Sequence, residues 1–271
     1  MAEIVIRPEV EPADIPAIRD AYAQMQALSP TDNRGWVYWA EFHGFNRYDC
    51  WHHGRTGPGP GTQFTYDLFL PWHRAYLLGF ENAMRDRNPD AILPWWDWTT
   101  PLSHEQGIPQ SFSGTDPDDP LATGTVPAIP PNGPTRTSRD PQSPSVLPFM
   151  DEPNPAWGLP SVQSVLDLPQ FVDFSNQLQD IHDAIHGWVG GDMGSIAVSA
   201  FDPIFWSHHA MIDRLWYLWQ LRWGVNNIPI DYLDKVLSPF PFTVRQVLDV
   251  RALGYDYAVA NIVATVSTGH H

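Results

Sequence analysis

The chain has 271 residues, of which 15 are basic and 31 acidic, so its formal net charge is −16 at pH 7. A negative excess of this size argues against nucleic acid and anionic membrane surfaces as partners, because both would repel it. The single cysteine, Cys50, excludes an internal disulfide framework and any metal cluster with several cysteines. No apolar run is long enough for a membrane span.

The first part of the chain predicts three helices. The opening MAEIVIRPEVEPADIP lacks a basic leader followed by an apolar core, so we expect no secretory signal. A cytoplasmic location and export by another route both remain open. Apolar residues recur at helical spacing over 14–28, where Asp14 can cap the first turn. Further helices are predicted from 33 towards 43 and over 70–87.

The middle of the chain changes character. Residues 101–160 contain 14 of the 28 prolines, together with many Gly, Ser, Thr and Asp residues. Such a segment can hardly form helix or central strand, so it predicts a long irregular loop with little β-structure. Helical patterns return over 171–189 and 202–223. In the second of these, Asp202 is a predicted N-cap and Pro203 suits the first turn.

Eight histidines fall into two groups, one on each side of this loop. His104 lies alone in the loop and is read as a surface residue, and His270 and His271 end the chain. In the second half, two histidines four residues apart share one helix face, and SHH supplies a third. Neighbours on a helix point about 100° apart, so both histidines of that pair cannot face one small site. The candidates are His43, His52 or His53, and His73 in the first half, and His182, His186, and His208 or His209 in the second.

Two sites built from imidazoles alone favour copper over zinc–thiolate or calcium chemistry. A zinc protease of the H-E-x-x-H type needs a glutamate after the first histidine, where this chain has Asp183. Carboxylate-bridged di-iron bundles need Glu-x-x-His, and the offsets here hold Gln179 and Asp183. Most of the 13 tryptophans lie near histidines, which indicates a histidine site with aromatic walls. Individually, Trp72, Trp188 and Trp206 are better explained as core.

Three blocks carry a family resemblance: FLPWHRAYLLGFE (69–81), HDAIHGWVGGDM (182–193) and FDPIFWSHHAMIDRLW (201–216). Together they closely resemble the tyrosinase family of type-3 copper proteins: tyrosinases, catechol oxidases, aminophenol oxidases and, more distantly, oxygen-carrying hemocyanins. The resemblance runs from about 36 to 219 and returns weakly at LGYDY. It implies a mainly α fold, with a four-helix bundle around a dinuclear copper site, long Pro-rich loops and little β.

The resemblance also implies which residues bind copper. It further implies a single domain over 1–271, which divides into four parts. In the family the second histidine of the HH pair binds metal, so His208 is expected to face away from the site. The four parts are a copper A half (about 14–100), the loop (about 101–160), a copper B half (about 161–223) and a closing segment (about 224–271). The implied ligands are His43, His52 and His73 for copper A and His182, His186 and His209 for copper B.

Two features near the ligands remain open. Asp213, one turn after His209, could orient that ring or form a surface pair with Arg214. The 21 positions from His52 to His73 exceed the family's usual spacing and indicate a loop insertion, with His53 as the alternative ligand. Cys50-Trp51-His52 resembles the Cys-x-His pattern that forms a thioether in some members. We expect this bond here, against the alternative of a small buried cysteine.

The resemblance implies an activity as well. Two coppers would use O2 as co-substrate to oxidise small phenolic substrates, chiefly o-diphenols and o-aminophenols, to o-quinones. The family's gate position above copper A falls on Ile196, whose aliphatic side chain blocks access less than phenylalanine. Efficient monophenol hydroxylation goes with a glutamate and an asparagine where this chain has Gln179 and Asp183, so slow monophenol turnover is expected. Asp183 could act as a base or bond within its own helix turn.

The class-level alternative is an oxygen carrier of the hemocyanin kind. Such a carrier needs a lid that excludes phenols, usually supplied by a second domain. The chain ends soon after LGYDY, which favours an enzyme. Copper could be supplied by a delivery partner, and nothing in the sequence indicates an oligomeric state.

Overall fold

The computed structural model describes residues 4–11, 13–45, 68–128 and 131–258. The described part is mainly α, as predicted, with short 3₁₀ turns and two small two-stranded pairings. Its four longest helices are α1, α3, α6 and α7. In chain order the elements are β1 (Val5–Arg7), α1 (Ile15–Gln26), α2 (Trp36–Ala40), α3 (Phe69–Arg87), α4 (Pro101–Gln106), β2 (Thr125–Val126), β3 (Thr135–Arg136), α5 (Val162–Leu166), α6 (Phe171–Val189), α7 (Pro203–Trp223) and β4 (Tyr255–Tyr257).

Most predicted helices are confirmed close to their expected bounds. Helix α6 covers the predicted 171–189. Helix α7 starts as its sequence indicates, because the Asp202 side chain accepts from the Ile204 N–H and Pro203 occupies the first turn. The second helix is shorter than predicted: α2 ends at Ala40, and the chain turns through Glu41 before reaching His43.

The proline-rich segment is folded onto the helices rather than standing apart from them. It contains α4 and the antiparallel pair β2–β3. Its Arg139 forms a buried ion pair with Asp202 and also donates to the Phe112 carbonyl. His104, predicted as a surface residue, is half-buried, and its ring lies 4.2 Å from that of Phe149. The loop therefore braces the start of α7.

The two ends of the described chain meet beside α3 and α7. Strand β1 pairs in parallel with β4, in the register Val5 with Tyr255 and Arg7 with Tyr257. The Arg7 guanidinium is fully buried and lies 3.7 Å above the Tyr255 ring. The core is rich in tryptophan, and Trp72, Trp188 and Trp206 are buried within it, as predicted. Among the described residues, no helix combines the length and apolar character that crossing a membrane requires.

Asp213 lies in this buried charge cluster, so both interpretations made from the sequence were wrong. Its carboxylate accepts from the Arg7 and Arg74 guanidiniums and from the hydroxyls of Tyr255 and Tyr257. Burial raises the pKa of Asp213, but the two arginines and two hydroxyls outweigh it and hold the pKa below its usual value. It does not bond to the ring of His209, whose Nδ1 has no hydrogen-bond partner among the described residues.

Candidate metal centre

Three helices and one turn bring five of the six predicted ligands together. His73 projects from α3, His182 and His186 from α6, and His209 from α7, while His43 follows α2. The sixth, His52, lies outside the described residues, as do its alternative His53 and the Cys50 of the expected thioether. The assignment of those residues stays a prediction. Six of the seven described histidines form two groups that share His209: His43 with His73 and His209, and His182 and His186 with His208 and His209.

In the second group, three ring nitrogens converge on one point. The Nε2 atoms of His182 and His186 are 2.9 Å apart, and each lies 3.2 Å from Nε2 of His209. A point equidistant from these three atoms lies about 1.8 Å from each, close to the 2.0–2.1 Å of a metal–imidazole bond. The spacing therefore suits one metal ion.

The first group lies directly against the second. The rings of His73 and His209 are stacked with centroids 4.2 Å apart, and the His43 ring lies 5.4 Å from that of His73. The ligand atoms of these three residues are all within 4.8 Å of one another. Two adjacent groups of buried imidazoles are the arrangement expected for a pair of metal ions.

Oxygen acceptors orient four of the rings through Nδ1. When Nδ1 donates its proton to an oxygen, the lone pair of Nε2 can bind a metal. We assign the tautomer protonated at Nδ1 to these rings from their oxygen acceptors. Three of the acceptors are backbone carbonyls and one is a carboxylate. The Nδ1 contacts are His43 to Ile196 O (3.1 Å), His73 to Phe69 O (2.9 Å), His186 to Met193 O (2.8 Å) and His182 to Asp183 Oδ1 (2.9 Å).

The electrostatics of the group favour a cation. Burial, together with the neighbouring imidazoles, holds the pKa of His182 and of His209 well below the usual value, so both rings are neutral. The Nε2 atoms of His182 and His186 lie 2.9 Å apart. A positive ion between them would be bound by both nitrogens. The residues therefore fit the copper pair that the resemblance implies.

His208 does not face away, contrary to the expectation from the helix. Its ring is fully buried and lies 5.1 Å from that of His182 and 5.0 Å from that of His186. Both adjacent residues of α7 reach the group. His208 lies against the two histidines of α6, whereas His209 is shared by the two groups. The sequence predicts the angle between adjacent side chains on one helix, but not how closely α6 packs against α7.

The three remaining predicted site residues all lie near the histidines. Asp183 is exposed, and its carboxylate accepts from Nδ1 of the preceding residue, His182, which is a bond within its own helix turn. Gln179 lies one turn earlier on the same helix and is half-buried. The side chain of Ile196 is 56 % exposed, while its carbonyl accepts from His43. Their roles in a reaction stay predictions.

Two phenylalanines were missed from the sequence. The Phe69 ring lies 5.0 Å from His73 and 4.7 Å from His182, so it touches one ring from each group. Phe205 lies 4.1 Å from His209 and 4.8 Å from His43. Each phenylalanine precedes a histidine of the same helix by four residues, and this F-x-x-x-H repeat in α3 and α7 is the signal that could have identified them.

Comparison with known proteins identifies the family. The profile described as the common central domain of tyrosinase matches residues 33–222. The chain belongs to the tyrosinase family. It is 29 % identical over 262 residues to "Hemocyanin, units G and H" of Sepia officinalis, covering 88 % of this chain and 43 % of that protein. It is also 34 % identical over 194 residues to a tyrosinase of Streptomyces lincolnensis, covering 62 % of this chain and 67 % of that one.

A solved structure shows the same fold. The tyrosinase from Burkholderia thailandensis superposes with a TM-score of 0.75 at 20 % sequence identity, covering 96 % of this chain and 74 % of that one. The chain spans less than half the length of the hemocyanin from Sepia officinalis. The relatives of this chain thus include proteins named as tyrosinases and proteins named as hemocyanins.

Proposed function

We propose that this protein is a dicopper oxidase that uses O2 to oxidise o-diphenols to o-quinones. o-Aminophenols are further substrates, and monophenols react slowly. The convergence of imidazole nitrogens in two adjacent groups supports this proposal most directly. It supplies two ligand sets close enough to act on one small molecule.

The chain's own part in the reaction is to hold and orient. His43, His52 and His73 would hold one copper, and His182, His186 and His209 the other. When bound, the copper pair supplies the redox chemistry: two diphenols each lose two electrons and two protons, and one O2 becomes two waters. Acceptors at Nδ1 orient four of these imidazoles, those of His43, His73, His182 and His186, before the metals arrive.

The exposure of Ile196, at the family's gate position, supports turnover rather than storage of oxygen. Ile196 is the exposed residue beside His43, and its backbone also positions that ring. Phe69 and Phe205 contact both groups and keep their surroundings apolar. A planar phenolic ring fits such surroundings better than a charged substrate does.

Asp183 and Gln179 bear on the choice between monophenols and diphenols. A monophenol must lose its proton to bind a metal well, and phenol has a pKa near 10. Gln179 cannot ionise, so it cannot serve as a base. Oδ1 of Asp183 accepts from Nδ1 of His182, so this carboxylate already serves a ligand ring. We infer that proton removal is weak and that diphenols are the better substrates.

The test is a steady-state comparison with copper-loaded protein. Catechol, an o-aminophenol and a tyrosine-like monophenol are supplied separately with O2, and quinone formation and O2 consumption are recorded. We expect rapid oxidation of the first two and slow, lag-prone oxidation of the third. Copper-loaded protein that leaves catechol unchanged would overturn the proposal.

A second candidate is an oxygen carrier, favoured by the identity to a hemocyanin over most of this chain. A carrier would bind O2 reversibly and leave catechol unoxidised, so the same assay separates the two functions. A third is a full tyrosinase, in which monophenols and catechols would react at comparable rates without lag. Small phenols are the proposed substrates whether the protein is a diphenol oxidase or a full tyrosinase. A copper-delivery protein as a further partner is compatible with each of the three functions. The net charge disfavours nucleic acid and anionic membranes as partners.

A further inference from the structure

His208 is a buried imidazole that the proposed ligand sets do not use. It is fully buried, and neither of its ring nitrogens has a hydrogen-bond partner with normal geometry among the described residues. A buried imidazole with an unsatisfied ring nitrogen is a potential metal ligand.

The position of this ring completes a four-imidazole arrangement. His208 lies 5.1, 5.0 and 5.2 Å, between ring centroids, from His182, His186 and His209. The other three separations within this set are 4.4, 4.7 and 5.4 Å. Six similar separations describe four rings around one centre, and one nitrogen from each lies within 4.8 Å of the others. Four-coordinate tetrahedral sites of nitrogen ligands are closed, whereas catalytic sites keep one position open.

We propose that a single metal ion is held by all four of these histidines, with His208 as the fourth ligand until the second ion binds. His209 belongs to both groups, so an ion in the first group would lie beside its ring, while His209 remains a ligand of the second ion. Loss of the His208 bond at that stage leaves the open position that the two-metal site requires. The one-metal protein is thus closed to O2. This inference rests on the proposed function, because the same histidines hold the copper pair.

The experiment titrates the metal-free full chain with Co²⁺ and Zn²⁺. Four imidazoles impose a tetrahedral geometry, so the first equivalent of Co²⁺ should give intense visible bands. His208→Leu should weaken binding of the first ion at least tenfold and replace those bands with weaker ones of higher coordination number. His104→Leu, which changes a histidine away from the group, should titrate like the wild type, and circular dichroism checks that each variant is folded.

A measurement on the wild type keeps the test independent of folding in the variant. Pulsed electron paramagnetic resonance of chain holding one equivalent of Cu²⁺ counts bound imidazoles through their remote nitrogens. Four imidazoles are expected with one equivalent, and three per copper with two. A count of three with one equivalent, or a His208→Leu titration identical to the wild type, would overturn the inference. Failure of the copper-loaded protein to oxidise catechol would overturn the proposed function instead, since neither imidazole count depends on turnover.

Discussion

At the scale of single residues, the histidine rings are distinguished by what accepts their Nδ1 protons. Among the described histidines, three rings donate to backbone carbonyls, whereas His182 donates to the carboxylate of Asp183. An anionic acceptor makes an imidazole a stronger electron donor, and loss of such a partner commonly costs ten- to a hundredfold in metal affinity. Asp183 therefore acts on the second group through His182.

Removal of a ligand histidine should abolish activity, whereas substitution of His208 should not. We expect His186→Ala and His73→Ala each to eliminate catechol oxidation, because one copper cannot perform the two-metal chemistry. His208→Ala should keep both coppers at saturating metal and retain measurable turnover. Copper content by atomic absorption and catechol oxidation rates check this. If His208→Ala lost a copper at saturation and His209→Ala kept both, the ligand assignment would be reversed.

Substitutions at the two α6 positions should shift substrate preference. Gln179→Glu adds an ionisable group near His182 and should raise the monophenol rate relative to the diphenol rate severalfold. Asp183→Asn keeps a hydrogen-bond acceptor for His182 but removes the charge, so it should lower both metal affinity and the monophenol rate. Ratios of initial rates, measured on protein of equal copper content, test this. Asp183→Ala leaving both rates unchanged would remove Asp183 from the mechanism.

At the scale of elements, the proline-rich segment and the start of α7 depend on each other. Asp202 caps α7 and pairs with Arg139, and both side chains are largely buried. A buried pair contributes little net stability while intact, yet removal of one partner leaves an uncompensated charge. The brace therefore links the irregular segment to the helix that carries His209.

Loss of this brace should be costly. We expect Asp202→Ala to lower the free energy of unfolding by about 3–5 kcal/mol, because the Arg139 charge stays buried without its carboxylate. Asp234→Ala removes a pair with Arg245 at a site 75 % exposed and should cost less than about 1 kcal/mol. Urea unfolding followed by tryptophan fluorescence compares the two. Equal losses in both variants would contradict the bracing role.

At the scale of the whole molecule, one buried cluster joins both ends of the described chain to its central helices. Arg7 of β1 bonds to Glu81 of α3 and to Asp213 of α7, while Tyr255 and Tyr257 of β4 donate to the same Asp213. Contacts between residues more than 200 positions apart thus stabilise the helices that carry His73 and His209.

This cluster predicts an acid-sensitive contribution to stability. The pKa of Asp213 lies below its usual 3.8 in the folded protein. Its carboxylate therefore stabilises the fold fully above about pH 4 and loses that effect as the pH falls through the lower folded-state value. The difference in unfolding free energy between wild type and Asp213→Asn should be constant from pH 5 to 7 and shrink below about pH 4. A difference that stays constant down to pH 3 would show that the charge is unimportant.

Local patterns in the sequence determined the helices and the identity of most candidate ligands. Spacing of four residues puts His182 and His186 on one face whatever surrounds them, and Asp202 with Pro203 starts α7 by local bonds alone. The family blocks likewise lie mostly within single helices. Such features depend on neighbours in the chain, so they can be read without knowledge of the packing.

Only the tertiary structure decided how the helices approach one another. It placed Asp213 among Arg7, Arg74 and two tyrosines, where the sequence pattern suggested a partner one turn away. It brought His208 against α6, and it joined the two histidine groups through Phe69, Phe205 and the shared His209. These contacts connect distant parts of the chain. Their geometry follows from the close packing of large side chains between elements, which residue spacing along one helix does not encode.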